Sequence, residues 1–76
     1  MPNINKIIEK MHNQPHGIRF DEAKKALEHY GYQHTRTKGS HYQFVDDDGD
    51  LITVKFKNPI REAYVKNILK RAGEEA

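Results

Sequence analysis

The chain has 76 residues, enough for one small domain, with 36% hydrophobic residues and a formal net charge of +2. It contains no cysteine, which excludes a disulfide framework, a thiol nucleophile and a cysteine-based zinc site. No apolar run approaches the roughly 20 residues that a membrane span needs, so we expect no membrane partner. The absence of cysteine suits a reducing compartment, and we expect a cytoplasmic protein.

Apolar residues at helical spacing predict two helices in the first part of the chain. The first covers about residues 4–12, with Asn3 as a candidate N-cap, and the break at residues 13–17 ends it. The second begins near Asp21, its candidate cap, and ends at Gly31, the usual position of glycine after a helix. The two apolar stripes are Ile4, Ile7, Ile8 and Met11, and Ala23, Ala26, Leu27 and Tyr30.

Three strands are predicted to follow. Residues 32–37 are rich in tyrosine and threonine, and a tight turn at Lys38-Gly39 leads from them into a strand that ends at Val45. The pair Asp48-Gly49 is a strong hairpin signal between that strand and the next, which covers residues 51–56.

A last helix is predicted to begin near Asn58-Pro59, a cap followed by a proline, and to end at Gly73. The element order α-α-β-β-β-α predicts an α+β fold, a small single domain over residues 1–76. Its three-stranded antiparallel sheet packs on helices through one face. The predicted core consists of Tyr42, Phe44, Ile52, Val54, Phe56, Leu27, Ile68 and Leu69.

The charged residues are unevenly distributed along the chain. Residues 51–73 contain six basic residues and one acid, whereas residues 46–50 contain four acids. A basic segment of this kind suits a polyanionic partner such as nucleic acid. An ordinary solvated helix face would have the same composition, and the sequence leaves both interpretations open.

Strand alternation predicts that His41 faces solvent. Its neighbours Tyr42 and Phe44 lie on one face of their strand, the natural core face, and His41 lies on the other. Arg36 and Lys38 precede it, and no acid interrupts this stretch. An exposed imidazole in a basic stretch suits a phosphodiester-cleaving site. On spacing alone, however, a lone strand histidine is more often structural or without a role.

The sequence contains no pattern for a metal or cofactor site. The five histidines lack metal-binding spacing, and the chain has neither a phosphate-binding loop nor a nucleophile elbow. The acidic run from Asp46 departs from the calcium-loop pattern, because its sixth residue is Leu51 and its twelfth is Lys57. We therefore expect no metal and no cofactor.

The residues from Arg36 to Phe44 read Arg-Thr-Lys-Gly-Ser-His-Tyr-Gln-Phe. This stretch resembles the R-x-K-G-S-H-x-x-F signature of the HicA family of bacterial toxins, which are small messenger-RNA interferases of type II toxin–antitoxin systems. The resemblance extends over about residues 18–73, so the helix at residues 4–12 is an addition to the family core. It implies a fold similar to that of double-stranded-RNA-binding domains and a HicB-type antitoxin as a protein partner.

The resemblance implies that the chain is an RNA endonuclease with His41 as its catalytic residue and messenger RNA as its substrate. Without a metal, a neutral imidazole would act as general base on the ribose 2′-hydroxyl. The residues expected to contact the RNA are Arg36, Lys38, Gly39, Ser40, Lys55 and Lys57. Many family members also have Pro-x-His after the third strand, where residues 55–59 of this chain contain no histidine.

Two other functions remain open from the sequence. Domains of this fold type bind RNA through shape and phosphate contacts without any chemistry. The basic face could instead bind an acidic protein, and the expected antitoxin would do so by covering the active surface.

Overall fold

The computed structural model describes residues 4–72 and confirms the predicted α+β fold and its element order. The helices are α1 (Ile4–Asn13), α2 (Phe20–His29) and α3 (Glu62–Arg71), with a short 3₁₀ turn at Pro15–Gly17. The strands are β1 (Gln33–Lys38), β2 (His41–Val45) and β3 (Leu51–Lys55), in one antiparallel sheet of order β1-β2-β3. None of the helices within these residues has the length and hydrophobicity of a membrane span. The predicted end positions Asn3 and Gly73 lie outside the described residues.

The hydrophobic core lies between the helices and one face of β2 and β3. Phe44, Ile52 and Val54 are buried there, in one cluster with residues from all three helices. The helical members include Ile7, Met11, Leu27, Val65, Ile68 and Leu69. Fully burying each large apolar side chain contributes roughly 1.5–3 kcal/mol to folding. By contrast, all six residues of β1 are exposed, so this strand lies beyond the helical cover.

The core differs from the prediction at its margin. Phe56 was predicted to be buried and is 48% exposed, because it follows Lys55, the last residue of β3, at the edge of the packed layer. Tyr42 is half-buried and packs against the core. The prediction was therefore wrong for Phe56 and correct for the residues nearer the middle of the sheet.

The start of α2 also differs from the prediction. Asp21 does not cap this helix, which begins one residue earlier at Phe20 with Arg19 in the N-cap position. The backbone N–H of Arg19 donates a hydrogen bond to Glu22 Oε1 at 3.0 Å. Glu22 thus bonds the N-cap residue from inside the helix, since a side chain three residues into a helix can reach back to the N-cap backbone.

Asn58 and Pro59 do not begin the last helix. α3 begins at Glu62, with Arg61 in the N-cap position, and the Asn58–Pro59 peptide bond is cis. Asn58 Oδ1 instead accepts a hydrogen bond from the backbone N–H of Phe20 at 2.9 Å. The first N–H groups of a helix have no partner within the helix. Asn58, from a distant part of the chain, therefore supplies a hydrogen-bond acceptor for the first N–H group of α2.

Gly31 ends α2 as predicted. Its φ of +93° lies in the region that glycine adopts readily. Gly31 N–H bonds to the carbonyl of Glu28 at 3.1 Å, and Tyr32 N–H bonds to the carbonyl of Leu27 at 2.9 Å. These two bonds form a Schellman motif, which reverses the chain into β1.

Tyr32 connects this corner to the acidic turn between β2 and β3. Its hydroxyl donates to a carboxylate oxygen of Asp50 at 2.5 Å, and Arg71 pairs with the same carboxylate. Within the turn, Asp46 Oδ1 accepts the backbone N–H groups of Asp48 and Asp50 at 3.0 and 2.8 Å. Burial, followed by the hydrogen bond to Asp50, raises the pKa of Tyr32 to about 12. The acidic run is thus an ordered turn, as the sequence predicts.

We expect Tyr32→Phe to lower the free energy of unfolding by roughly 1–3 kcal/mol, because it removes a hydrogen bond to an ionised acceptor. The pKa of Tyr32 is about 12 in the folded protein and about 10 in an unfolded chain. The stabilisation is therefore complete below about pH 10 and is lost as the pH rises through about 12. Denaturant unfolding of both proteins across this pH range should show that the difference between their free energies of unfolding becomes smaller as the pH rises. A difference that stays constant would contradict the assignment.

Candidate active site

The turn between β1 and β2 places His41 at one end of the sheet. The turn consists of Gly39 and Ser40, one residue later than predicted, because Lys38 pairs directly with His41. Gly39 has a φ of +60°, which glycine adopts without strain. Ser40 therefore lies in the turn rather than in the strand, and its carbonyl accepts the N–H of Phe56 at 2.6 Å.

Three side chains form a row across the sheet, which we call the basic row: Lys38, His41 and Lys55. Lys38 of β1 pairs with His41 of β2, and His41 pairs with Lys55 of β3. Directly paired residues share one face of a sheet, with Cβ atoms about 4.5–5.5 Å apart. His41 and Lys38 are exposed and Lys55 is half-buried. This register confirms the expectation that Lys55 shares the face of His41, the open face turned away from the helices.

A second row of polar residues lies next to the basic row on the open face. Arg36 pairs with Gln43, and Gln43 pairs with Thr53. The sequence prediction included Arg36 and did not single out Gln43 or Thr53. The alternation that turns His41 outward would have found both, because residues two apart in a strand share a face.

A bulge in β1 separates Arg36 from His34. The register shifts between these residues, so that His34 pairs with Phe44 while Arg36 pairs with Gln43. One extra residue in a strand moves the following side chains to the other face. His34 consequently lies on the helix side of the sheet, where its Nε2 is 2.6 Å from Thr37 Oγ1.

The cations near His41 are not neutralised by acids within residues 4–72. Four ion pairs occur in this part of the chain: Lys10–Glu22, Arg19–Asp21, Lys66–Glu62 and Arg71–Asp50. None of them includes Arg36, Lys38, Lys55 or Lys57. Lys66 and Arg71 of α3 are thus paired with acids. The basic surface that the sequence suggested is smaller by these two charges. On the sheet, Arg36, Lys38 and Lys55 thus remain outside these ion pairs, as does exposed Lys57 just beyond β3.

The other histidines do not belong to the basic row. His12, His16, His29 and His34 are exposed, which confirms the expectation that they are surface residues. Within the described part of the chain, no group of three or more His, Cys, Asp or Glu side chains is arranged to hold a metal ion. His41 is the histidine that the sheet register places directly between Lys38 and Lys55.

Comparison with known proteins identifies a family. A family model described as "HicA toxin of bacterial toxin-antitoxin" matches residues 20–74, which include α2, the whole sheet and α3. The matched span contains the basic row and the Gly39-Ser40 turn, and it begins after α1. Comparisons with curated proteins and with solved structures gave no match. Since the family model covers well over half of its length, the chain belongs to the HicA family of toxins of bacterial toxin–antitoxin systems.

Proposed function

We propose that this HicA-family toxin is an RNA endonuclease that cleaves messenger RNA, with His41 as its general base. The observation that carries the proposal is the basic row. It presents an exposed imidazole between two ammonium groups on the face of the sheet that the helices leave open. Imidazole is the side chain that exchanges protons most readily near neutral pH.

RNA supplies its own nucleophile in this mechanism. The neutral imidazole of His41 takes the proton of a ribose 2′-hydroxyl that lies within hydrogen-bond distance. The 2′-oxygen then forms a bond to the adjacent phosphorus, and the bond from phosphorus to the 5′-oxygen of the next nucleotide breaks. That leaving oxygen takes a proton from water or from the ammonium group of Lys38 or Lys55. The products are a 2′,3′-cyclic phosphate and a 5′-hydroxyl.

The cations contribute by stabilising charge on the phosphate. Lys38 and Lys55 flank His41 and stabilise the negative charge that develops during attack. Arg36, in the neighbouring row, and Lys57, beyond β3, bind adjacent phosphates and position the strand.

The Gly39-Ser40 turn contributes by its shape. No atom lies within 4 Å of the place where a side chain on Gly39 would stand, so the backbone is accessible there. The exposed hydroxyl of Ser40 is an additional hydrogen-bond donor for a phosphate oxygen. An RNA backbone can therefore approach this turn closely.

The same surface also suits binding of an inhibiting partner. A HicB-type antitoxin that places acidic groups over the basic row would exclude RNA and satisfy the unpaired cations. We therefore propose messenger RNA and such an antitoxin as competing partners of one face, both met in the cytoplasm.

We expect the purified protein to cleave RNA in the presence of EDTA and to leave 5′-hydroxyl ends. RNA with 2′-deoxy or 2′-methoxy groups at the cut site should resist cleavage, because it lacks the nucleophile. The measurement is gel analysis of the cleaved RNA with chemical identification of both ends. Cleavage that stops in EDTA and returns with a divalent ion would contradict the mechanism. Binding without cleavage under either condition would identify a non-catalytic RNA-binding module.

A further inference from the structure

Within residues 4–72, Leu51 and Phe56 are large apolar side chains with marked exposure, 45% and 48%. They lie at the two ends of β3. Leu51 follows the acidic turn, whereas Phe56 lies between Lys55 and Lys57 at the end that holds the basic row. A single exposed leucine is ordinary on a protein surface. An exposed aromatic ring that two cations flank in the sequence is the feature that needs an explanation.

Phe56 is the outermost ring of an aromatic group on the helix side of the sheet. Its centroid lies 4.9 Å from that of buried Phe20 and 6.0 Å from that of Tyr42. Tyr42 lies in turn 4.7 Å from Phe20 and 5.1 Å from His34. The backbone of Phe56 is held by its hydrogen bond to Ser40. The ring is therefore supported on its inner side and accessible on its outer side.

We propose that Phe56 is a stacking site for a nucleobase of the RNA strand, an inference that rests on the proposed function. Single-stranded RNA combines phosphates with flat bases, and proteins that bind it combine cations with exposed aromatic rings. Lys55 contributes to the basic row and the next residue is Phe56. A phosphate at the basic row and a neighbouring base on Phe56 would hold the strand around the end of β3.

The size and charge of this surface favour a base over a protein. A stable protein interface buries about 800 Å² on each partner, much more than one exposed ring with parts of Tyr42 and His34 provides. The four acids of the turn lie at the other end of the sheet, away from Phe56. An anionic strand is thus attracted to the end of the sheet that carries the ring.

The test compares two oligonucleotides of equal length that the proposed mechanism cannot cleave. One is a 2′-methoxy oligouridine, and the other carries abasic spacers in place of every nucleotide, so that its phosphates remain without bases. Affinities are measured for the parent protein, Phe56→Leu and Phe56→Trp. Leu51→Ala is the matched control, because it removes an equally exposed apolar side chain from the other end of β3. A thermal unfolding midpoint is measured for each variant.

We expect the parent to bind the oligouridine more tightly than the abasic oligonucleotide. In Phe56→Leu the ratio of these two affinities should fall by roughly 5- to 150-fold, the range measured for one stacked base. Phe56→Trp should retain the preference, since it retains an aromatic face, and Leu51→Ala should match the parent. If Phe56→Leu fails to fold, the comparison of Phe56→Trp with the parent and the preference of the parent itself still decide the question.

Four results would overturn the inference. If the parent and Phe56→Leu both bind RNA and show the same ratio of affinities for the two oligonucleotides, Phe56 does not stack on a base. That result would not affect the proposed function. If Phe56→Leu binds both oligonucleotides more weakly by the same factor, the ring supports the local fold and does not contact a base. Unchanged RNA binding together with failure to bind the antitoxin would assign Phe56 to a protein interface. A parent protein that binds neither oligonucleotide and cleaves no RNA would contradict the proposed function itself, and stacking with it.

Discussion

His41→Ala should abolish RNA cleavage and leave the protein folded. Removing a general base lowers the rate of a reaction by roughly 100- to 10,000-fold. The residue is exposed on the open face, opposite the side of the sheet that packs on the helices, so its side chain contributes little to the core. Substitutions at such surface positions usually change stability by less than about 0.5 kcal/mol. The measurement is the cleavage rate, paired with a denaturation midpoint.

The control for this variant is His12→Gln, which changes an exposed histidine in the last turn of α1. We expect it to cleave RNA at the rate of the parent. Growth arrest after expression in a bacterial host should likewise depend on His41 and not on His12. Cleavage by His41→Ala at the rate of the parent would remove His41 from the chemistry. An unfolded variant would show that His41 is structural.

Replacing both Lys38 and Lys55 by glutamate should weaken RNA binding roughly tenfold or more at low salt. Two attractive charges next to the phosphate become repulsive, and each exposed charge pair at about 4 Å is worth on the order of 1 kcal/mol. The slope of log affinity against log salt concentration should fall by about 0.7 for each phosphate of a single strand that the variant no longer neutralises. The measurement is RNA affinity over a series of salt concentrations.

A matched control reverses two charges elsewhere. Lys24 and Lys25 are exposed on α2, so changing both to glutamate gives the same net charge without altering the basic row. Affinity should fall less in this control, and both double variants should remain folded. If the Lys38 and Lys55 variant retains both the affinity and the slope of the parent, RNA binds to another surface. The basic row would then belong to the antitoxin alone.

Local patterns were sufficient to predict much of this structure. Alternation around Tyr42 and Phe44 predicted which way His41 faces, and the hairpin signal at Asp48-Gly49 predicted the pairing that brings Lys55 beside it. The Gly31 helix end was equally predictable, because left-handed backbone at that position depends on one residue type. These features depend on neighbours in sequence, which a single chain reveals.

The remaining features depend on contacts between distant segments. Asn58 has the side chain of a helix cap, but the helix that it caps starts 38 residues earlier in the chain. No sequence pattern near His34 indicates the bulge. The bulge nevertheless decides that His34 lies on the helix side and Arg36 on the open face. Phe56 continues the apolar alternation of β3, and its exposure results from where the helical layer ends. Sequence periodicity carries none of this information.

The exposure of β1 has a consequence for self-association. As the first strand of the order β1-β2-β3, it has an outer edge whose N–H and C=O groups could pair with a strand of another molecule. Two copies joined along this edge would bring Arg36 and Lys38 of each molecule close to those of the other, with mutual repulsion. The bulge beside Arg36 also interrupts the regular spacing that edge pairing needs. The cations proposed to attract RNA would therefore also oppose pairing of two copies along the edge of β1.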